Sequence, residues 1–392
     1  MNDRDLPAGL TTLDRPNSYI GRSVPRPNLE RLTQGRGQYV SDVSLTRMVH
    51  AVFVRSPHAH ARIKQIEAGA AKRVPGVIAV VTGAELVKVC TPWVGVLTHL
   101  KGLKSAPQHA IAVERACWQG EAVVAVVARS RALAEDAAEL TEVAYEELPA
   151  VTDAETALDK TTPVIHPDLG DNLTFERTLD AGDVDKALKE SDAVVETTFV
   201  FGRHTGVTNE PRAVVADWNE GAQRLTVHHG TQAPHMMQNI FGKHLGLAEH
   251  QVRVITDDVG GSFGIKVHVY ADEMATVALS KLLKRPVKYV ADRIESFVTD
   301  IHARDHRIKA RLGVTNDGRI TAFEIDDLTG IGPYSVYPRT SGIEANQIVN
   351  LVGGPYACPN YRARARVVFQ NKNVMCQYRA VGHPIALSLI HI

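Results

Sequence analysis

The 392-residue chain is 44% hydrophobic and 22% charged, an ordinary globular composition with length for two or more domains. Its 44 Lys+Arg balance 44 Asp+Glu, so no basic excess speaks for nucleic acid and no cationic helix for a membrane surface. The longest apolar run, Ala122–Ala128, is far too short to span a bilayer and reads as a buried strand.

Residues 1–35 are rich in Arg, Pro and Asn and lack sustained periodicity, so they read as a lead-in segment draped over another surface. The N-terminus has acids and a proline where a signal peptide needs an apolar core, and it lacks a twin-arginine pair. Met48–Arg55 and Val77–Thr82 have strand character. Ser130 can cap a helix whose apolar face is Leu133, Ala137 and Leu140. Asp159–Asn172, with two prolines and a glycine, suits an interdomain linker.

A second unit starts near Leu173. Gly182–Glu190 reads as a short helix, and Ala213–Trp218 and Leu225–His229 flank a hairpin turn at Asn219–Gly221. Pro234–Leu245 and Tyr270–Leu283 are helical in pattern. His306–Val314 alternates apolar and polar before Asn316–Asp317–Gly318, a type I′ turn signal. Strands and helices do not alternate regularly, which argues for α+β and against a doubly wound parallel sheet.

Four cysteines (Cys90, Cys117, Cys358, Cys376) include no C-x-x-C, so neither an iron–sulfur cluster nor a structural zinc site is encoded. Buried, inert thiols are the default, and so few fit a reducing cytoplasm.

The segment Val252–Lys266 carries most of the functional information. A β-branched strand (Val252, Val254, Ile255) leads through Asp257 and Asp258 into a turn with Gly260, Gly261 and Gly264. Glycine allows φ > 0 and close approach of the backbone to a ligand. Consecutive free N–H groups in such a turn form an anion-binding concavity. The plain alternative is a tight connection with no ligand.

Several ordered motifs give that turn a context. SPHAHARI (Ser56–Ile63), PGV (Pro75–Val77), QGEAVVAVVA (Gln119–Ala128) and the stretch ending at Val151 are followed by NEPRAVVADW (Asn209–Trp218). GTQAPH (Gly230–His235), VGGSFGIK (Val259–Lys266) and YRAVGHP (Tyr378–Pro384) complete the set. On these residues the chain resembles the large, molybdenum-cofactor-binding subunit of the molybdenum hydroxylases, the family of xanthine dehydrogenase, aldehyde oxidase and aerobic carbon monoxide dehydrogenase.

The resemblance implies an a/b hammerhead domain over 36–151, a linker over 152–172 and the first part of a molybdopterin-binding domain over 173–386. It implies oxidative hydroxylation of an aldehyde or an N-heterocycle, with the metal as Lewis acid and source of the nucleophile. Gln232 would stand near an apical oxygen of molybdenum, where an amide N–H donates without adding charge. A lone glutamine more commonly satisfies a neighbouring backbone group. Gly261, Ser262, Phe263 and Gly264 would contact the pterin and its metal end, with Phe263 over the metal; otherwise Phe263 is core. Arg379, followed by Ala380, matches the arginine of the active-site loop and offers rigid, permanently charged donors. Catalytic roles thus fall to Gln232, Phe263 and Arg379, and no side chain of this chain ligates the metal. The cofactor would be molybdopterin with molybdenum, in bacterial relatives typically molybdopterin cytosine dinucleotide. An iron–sulfur small subunit carrying [2Fe-2S] and an FAD medium subunit would be the partners, in a dimer of heterotrimers. They are needed because the chain has neither a cluster cysteine set nor a G-x-G-x-x-G fingerprint.

Three departures from the family narrow this reading. Copper-dependent carbon monoxide dehydrogenases carry a cysteine where this chain has Ala380, so a copper–molybdenum pair would lack its thiolate. Xanthine dehydrogenases place a glutamate where this chain has Val267, which cannot supply that hydrogen bond to a purine. Family large subunits also run well beyond this length, and their general-base glutamate lies further on. The last residues, Leu387–Ile392, match a translation of a transposon-end adapter used in sequencing libraries and are expected to be a non-native tail.

Two other chemistries compete. Gly260–Gly264 also spells G-x-S-x-G, with Ser262 as a nucleophile and Asp300 with His302 or His306 in triad order. His302 and His306 could share a metal only on a helix, whereas the flanking alternation is that of a strand. A non-catalytic reading, in which the chain is a cofactor-binding or assembly module, also stands.

Overall fold

The structure is a computed structural model that describes Tyr19 and residues 23–391. Most of the lead-in segment therefore lies outside the described residues; within it, Leu29–Thr33 forms the one-turn helix α1.

Residues 39–150 supply β1 (Val49–Arg55), β2 (Ala61–Glu67), α2 (Gly69–Arg73), β3 (Val77–Thr82) and α3 (Gly83–Leu86). They continue with β4 (Arg115–Ala116), β5 (Ala122–Ala128), α4 (Arg131–Glu139) and β6 (Glu142–Glu147). The later part begins with β7 (Leu173–Ala181), α5 (Val184–Glu190), β8 (Ala193–Phe201), β9 (Ala213–Asn219) and β10 (Arg224–His229). Next come α6 (Pro234–Leu245), β11 (Val252–Ile255), α7 (Ala271–Leu283), β12 (Val287–Val290) and α8 (Arg293–Thr299). The last elements are β13 (His306–Val314), β14 (Ile320–Gly330), α9 (Ile343–Leu351), β15 (Tyr361–Val368) and α10 (His383–His391).

These strands form three sheets with mixed pairing, as expected of α+β. A seven-stranded sheet runs β11-β10-β9-β12-β1-β5-β3, a five-stranded one β7-β15-β14-β13-β8, and a three-stranded one β4-β2-β6. Strand β1 pairs in parallel with β12 through Val49↔Val287, so the large sheet draws strands from both sides of the segment 152–172. That segment is pinned rather than loose: Asn172 donates to the carbonyls of Ala157 (3.0 Å) and Pro163 (2.9 Å) and accepts from Ile165 N (2.9 Å).

Strand β5 has no residue more than 3% exposed, because apolar clusters cover both faces of the sheet there. A two-sided burial explains its unbroken apolar run. Helix α6 begins with Pro234 and ends at Gly246 in the left-handed conformation, the usual chemistry for both ends of a helix. Among the described residues, no helix is long and apolar enough to cross a membrane. Cys90, Cys117 and Cys376 are buried and Cys358 half-buried, all unpaired.

Two local expectations need correction. Ser130 caps α4, accepting from Leu133 N at 3.3 Å, but the buried face is Ala134 and Ala137. Leu140 lies past the helix end and is exposed. The β13–β14 turn is not type I′, which needs φ > 0 at both central residues. Only Gly318 has positive φ (+84°), and Thr315 N donates to Arg319 O at 2.9 Å across a three-residue loop. This loop places the left-handed demand on glycine alone.

Candidate functional site

Strands β10 and β11 are parallel neighbours, with His228 opposite Ile255, so the loops that follow them leave the sheet at the same end. The first loop carries Gln232 and the second the glycine turn. The loop between β15 and α10, with Arg379, closes on both. Gly264 N donates to Gln232 Oε1 at 3.1 Å, and Arg379 N donates to Phe263 O at 2.9 Å. Gln232, Ser262, Phe263, Gly264, Val267 and Arg379 thus border one open cleft of about 500 Å³.

Hydrogen bonds within the turn leave a specific set of groups free. Gly260 N is taken by Glu210 Oε2 (2.7 Å), Gly264 N by Gln232, and Ile265 N by Ser262 O (2.9 Å). The N–H groups of Gly261, Ser262 and Phe263 donate to no acceptor among the described residues. Gly261 (φ +101°) and Gly264 (φ +99°) occupy conformations open to glycine, and Phe263 (φ +49°) is a strained exception between them. A Cβ on Gly260 would lie 2.4 Å from Glu210 Cβ, which fixes that position as glycine for packing reasons.

Phe263 is 44% exposed in the cleft, so it is not a core residue. Gln232 satisfies a backbone donor, as a lone glutamine commonly does, and yet it faces the cleft. Because Oε1 accepts from Gly264, the amide is oriented with Nε2 as its remaining donor. Arg379 is exposed, and among the described residues no side-chain partner engages its guanidinium. Ala380, beside it, adopts φ +65°.

Sequence reasoning gave no role to the residues that hold this cleft in place. Glu210 accepts from both Gly260 N and Lys266 Nζ, each at 2.7 Å. Lys266 is buried, and its carbonyl accepts from Gln232 N (3.0 Å) and Thr231 Oγ1 (2.9 Å). Burial lowers the Lys266 pKa, and Glu210 partly restores it. Behind them Arg212, fully buried, donates to Asp300 (2.6 Å), Asp272 (2.7 and 3.0 Å) and Thr299 (2.7 Å). Its guanidinium lies 3.8 Å from the Tyr270 ring centre, and the Tyr270 hydroxyl donates to Ile265 O at 2.7 Å. Burial pushes the Asp272 carboxyl up, but the Arg212 and Arg55 guanidiniums hold it well below the usual carboxylate range. Glu210, Arg212 and Lys266 stand inside motifs that are visible in the sequence, but nothing in a motif shows which charges are buried. Arg339 and Gln377 also border the cleft and carried no sequence signal.

The serine-hydrolase reading fails on this geometry. Asp300 is committed to Arg212, His302 Nε2 meets Phe297 O at 3.2 Å, and His306 Nδ1 pairs with Asp327 at 2.9 Å. None of the three borders the cleft with Ser262. Six residues separate Ser262 from the end of β11, so there is no sharp strand-to-helix elbow. His306 lies on β13, and among the described residues no group of three or more His, Cys, Asp or Glu is set to hold a metal ion.

Comparison with known proteins agrees with this architecture. Residues 34–149 match the aldehyde oxidase and xanthine dehydrogenase a/b hammerhead domain, and residues 165–391 the molybdopterin cofactor-binding domain. The chain is 34% identical to the nicotine 6-hydroxylase large subunit of Paenarthrobacter nicotinovorans, over 95% of this chain and 46% of that protein. It is 33% identical to the carbon monoxide dehydrogenase large chain of Afipia carboxidovorans, over 92% and 46% respectively. The crystal structure of quinoline 2-oxidoreductase from Pseudomonas putida 86 superposes with a TM-score of 0.89 at 35% identity, covering 92% of this chain and 46% of that one. The chain therefore spans about half the length of these relatives. It belongs to the large-subunit family of the molybdenum hydroxylases, the aldehyde oxidase and xanthine dehydrogenase type.

Proposed function

We propose that this chain supplies one wall of the molybdopterin site of an oxidative hydroxylase that acts on an N-heterocycle or an aldehyde. The observation that carries this reading is the set of three consecutive unpartnered amides at Gly261–Phe263, in one cleft with Gln232 and Arg379. Such a set suits an anionic, closely approaching group, because the donors are fixed before it arrives. The phosphates of molybdopterin cytosine dinucleotide would complement the same turn and the Arg379 guanidinium.

When bound, the cofactor supplies Lewis-acid and redox chemistry. The residues of this chain bind and orient. Gln232 Nε2, aimed by the bond from Gly264, presents a neutral donor to an oxygen at the metal end. Phe263 covers part of the cleft with an apolar ring and excludes water from it. Arg379 holds a permanent positive charge at the rim.

Ala380 and Val267 speak against carbon monoxide and xanthine, since neither supplies a thiolate or a carboxylate. Nicotine and quinoline, named in two relatives, are N-heterocycles and favour that class. Electrons would leave through [2Fe-2S] and FAD subunits, in a dimer of heterotrimers. Four unpaired cysteines suit a cytoplasmic setting.

No carboxylate borders the cleft among the described residues, so a general base is missing from this wall. We expect the chain alone to retain molybdopterin and to oxidise neither quinoline nor benzaldehyde. Pterin content after reconstitution, measured beside product formation, checks both halves. Absence of bound pterin would refute the site, and steady turnover would refute the missing base.

A further inference from the structure

A buried ion pair lies behind the Arg379 loop, and it reaches both ends of that loop's turn. Arg304 (6% exposed) pairs through Nη1 with Glu344, which is fully buried. The other arm of the same guanidinium, Nη2, donates to Arg379 O at 3.1 Å. The Glu344 carboxylate accepts from Gly382 N at 3.2 Å and from Arg304 N at 3.3 Å. One pair thus holds the carbonyl where the turn begins and the amide where it ends. The residues between need holding, because Ala380 (φ +65°) and Gly382 (φ +72°) both adopt left-handed backbone. Gly382 has no room to drift, since a Cβ there would meet Gln347 Cβ and Glu344 O at 3.0 Å.

The pair is itself braced. His306 Nε2 lies 3.8 Å from Glu344 Oε2, and His306 Nδ1 is 2.9 Å from Asp327, whose carboxylate also accepts from Thr329 Oγ1 at 3.1 Å. Asp327, His306 and Glu344 are each no more than 1% exposed. Two acids and two bases balance in formal charge, the condition under which buried ions are tolerated. Burial lowers the His306 pKa, but Asp327 more than reverses this and raises it to about 10. Burial raises the Glu344 pKa, and His306 and Arg304 lower it further than that.

From the loop the connection runs on to the cleft. Arg379 N donates to Phe263 O, and Gly264 N donates to Gln232 Oε1. We propose that Arg304 and Glu344 are positioning residues that set the Arg379–Gly382 turn against Phe263, and through it against the glycine turn and Gln232. Their significance for catalysis rests on the proposed function; the positioning itself does not.

Hydrogen exchange of the purified chain, without cofactor, tests this directly. Arg304→Lys keeps the charge facing Glu344 and removes the arm to Arg379 O. Glu344→Gln keeps the side-chain volume and removes the charge. In either variant, exchange across 379–382 should quicken by about tenfold, the scale of one lost charge-assisted hydrogen bond. Peptides from β13, α9 and β5 should keep wild-type rates. The informative amide is Arg379 N–H, whose acceptor, Phe263 O, neither substitution touches. A folded variant with wild-type exchange across 379–382 overturns the proposal. So does acceleration that is equal in β13 and α9, which would mark the pair as merely structural. If Glu344→Gln does not fold, Arg304→Lys decides. A wild-type chain that binds no pterin would defeat the proposed function and leave this result standing.

Discussion

Strand β5 and the layer around Arg212 are both fully buried, and they are built by opposite means. Every residue of Ala122–Ala128 is apolar, and none needs a partner. Arg212 has no exposure either, yet it is surrounded by Asp272, Glu273, Asp300 and Thr299 and lies against the Tyr270 ring. Apolar burial has no direction, so it can place a strand in a layer but cannot dictate the path of an irregular loop. A guanidinium has fixed donor directions, and each carboxylate it meets must come to it. The glycine turn is irregular backbone, and the charged layer reaches it through Tyr270 to Ile265 O and through Glu210 to Gly260 N. The sheet is held by area and the cleft by geometry.

Arg212→Leu should break that comparison most severely. It leaves buried Asp300 without its guanidinium partner and Asp272 with Arg55 alone, at a cost of about 3–5 kcal/mol. Val126→Ala on β5 should cost only about 2 kcal/mol, from lost methyl groups and the small cavity they leave. Denaturation midpoints of the two variants would check the order, and equal losses would erase the distinction. A second test sets β5 against another buried charged cluster, the one around Glu344, by pH. His306 has its folded pKa raised from 6.5 to about 10, so its contribution is full below pH 6.5 and is lost as pH rises through 10. Stability should therefore decline between those limits, and the decline should vanish in His306→Gln. Strand β5 has no titrating group and cannot produce it. The smallest effect is expected at Lys186, whose pairing with Glu190 is 3.9 Å long and two-thirds exposed on both sides. Lys186→Ala should change the unfolding free energy by no more than about 0.5 kcal/mol, since solvent screens such pairs.

These contrasts also explain what the sequence could reveal. Pro234–Leu245 is legible to the residue because proline, apolar spacing and Gly246 act locally. His306–Val314 is legible because its alternation reports one buried face. The parallel pairing of Val49 with Val287 is not legible, since no local rule chooses a partner so far along the chain. Gln232, the glycine turn and Arg379 are visible through their motifs, and the fold brings them to one cleft. Glu210, Lys266, Glu344 and Arg304 are not legible as supports. A lone Glu or Arg in a sequence reads as surface, and only coordinates show that its charge has been withdrawn from water.

The meeting of β1 with β12 has a mechanical corollary. Peptide-bond continuity from Val151 to Leu173 is not what keeps the earlier strands beside the later ones; a ladder of main-chain bonds does that. Severing the backbone there would yield two polypeptides still zipped along one sheet, neither of which could leave without exposing a raw strand edge to water.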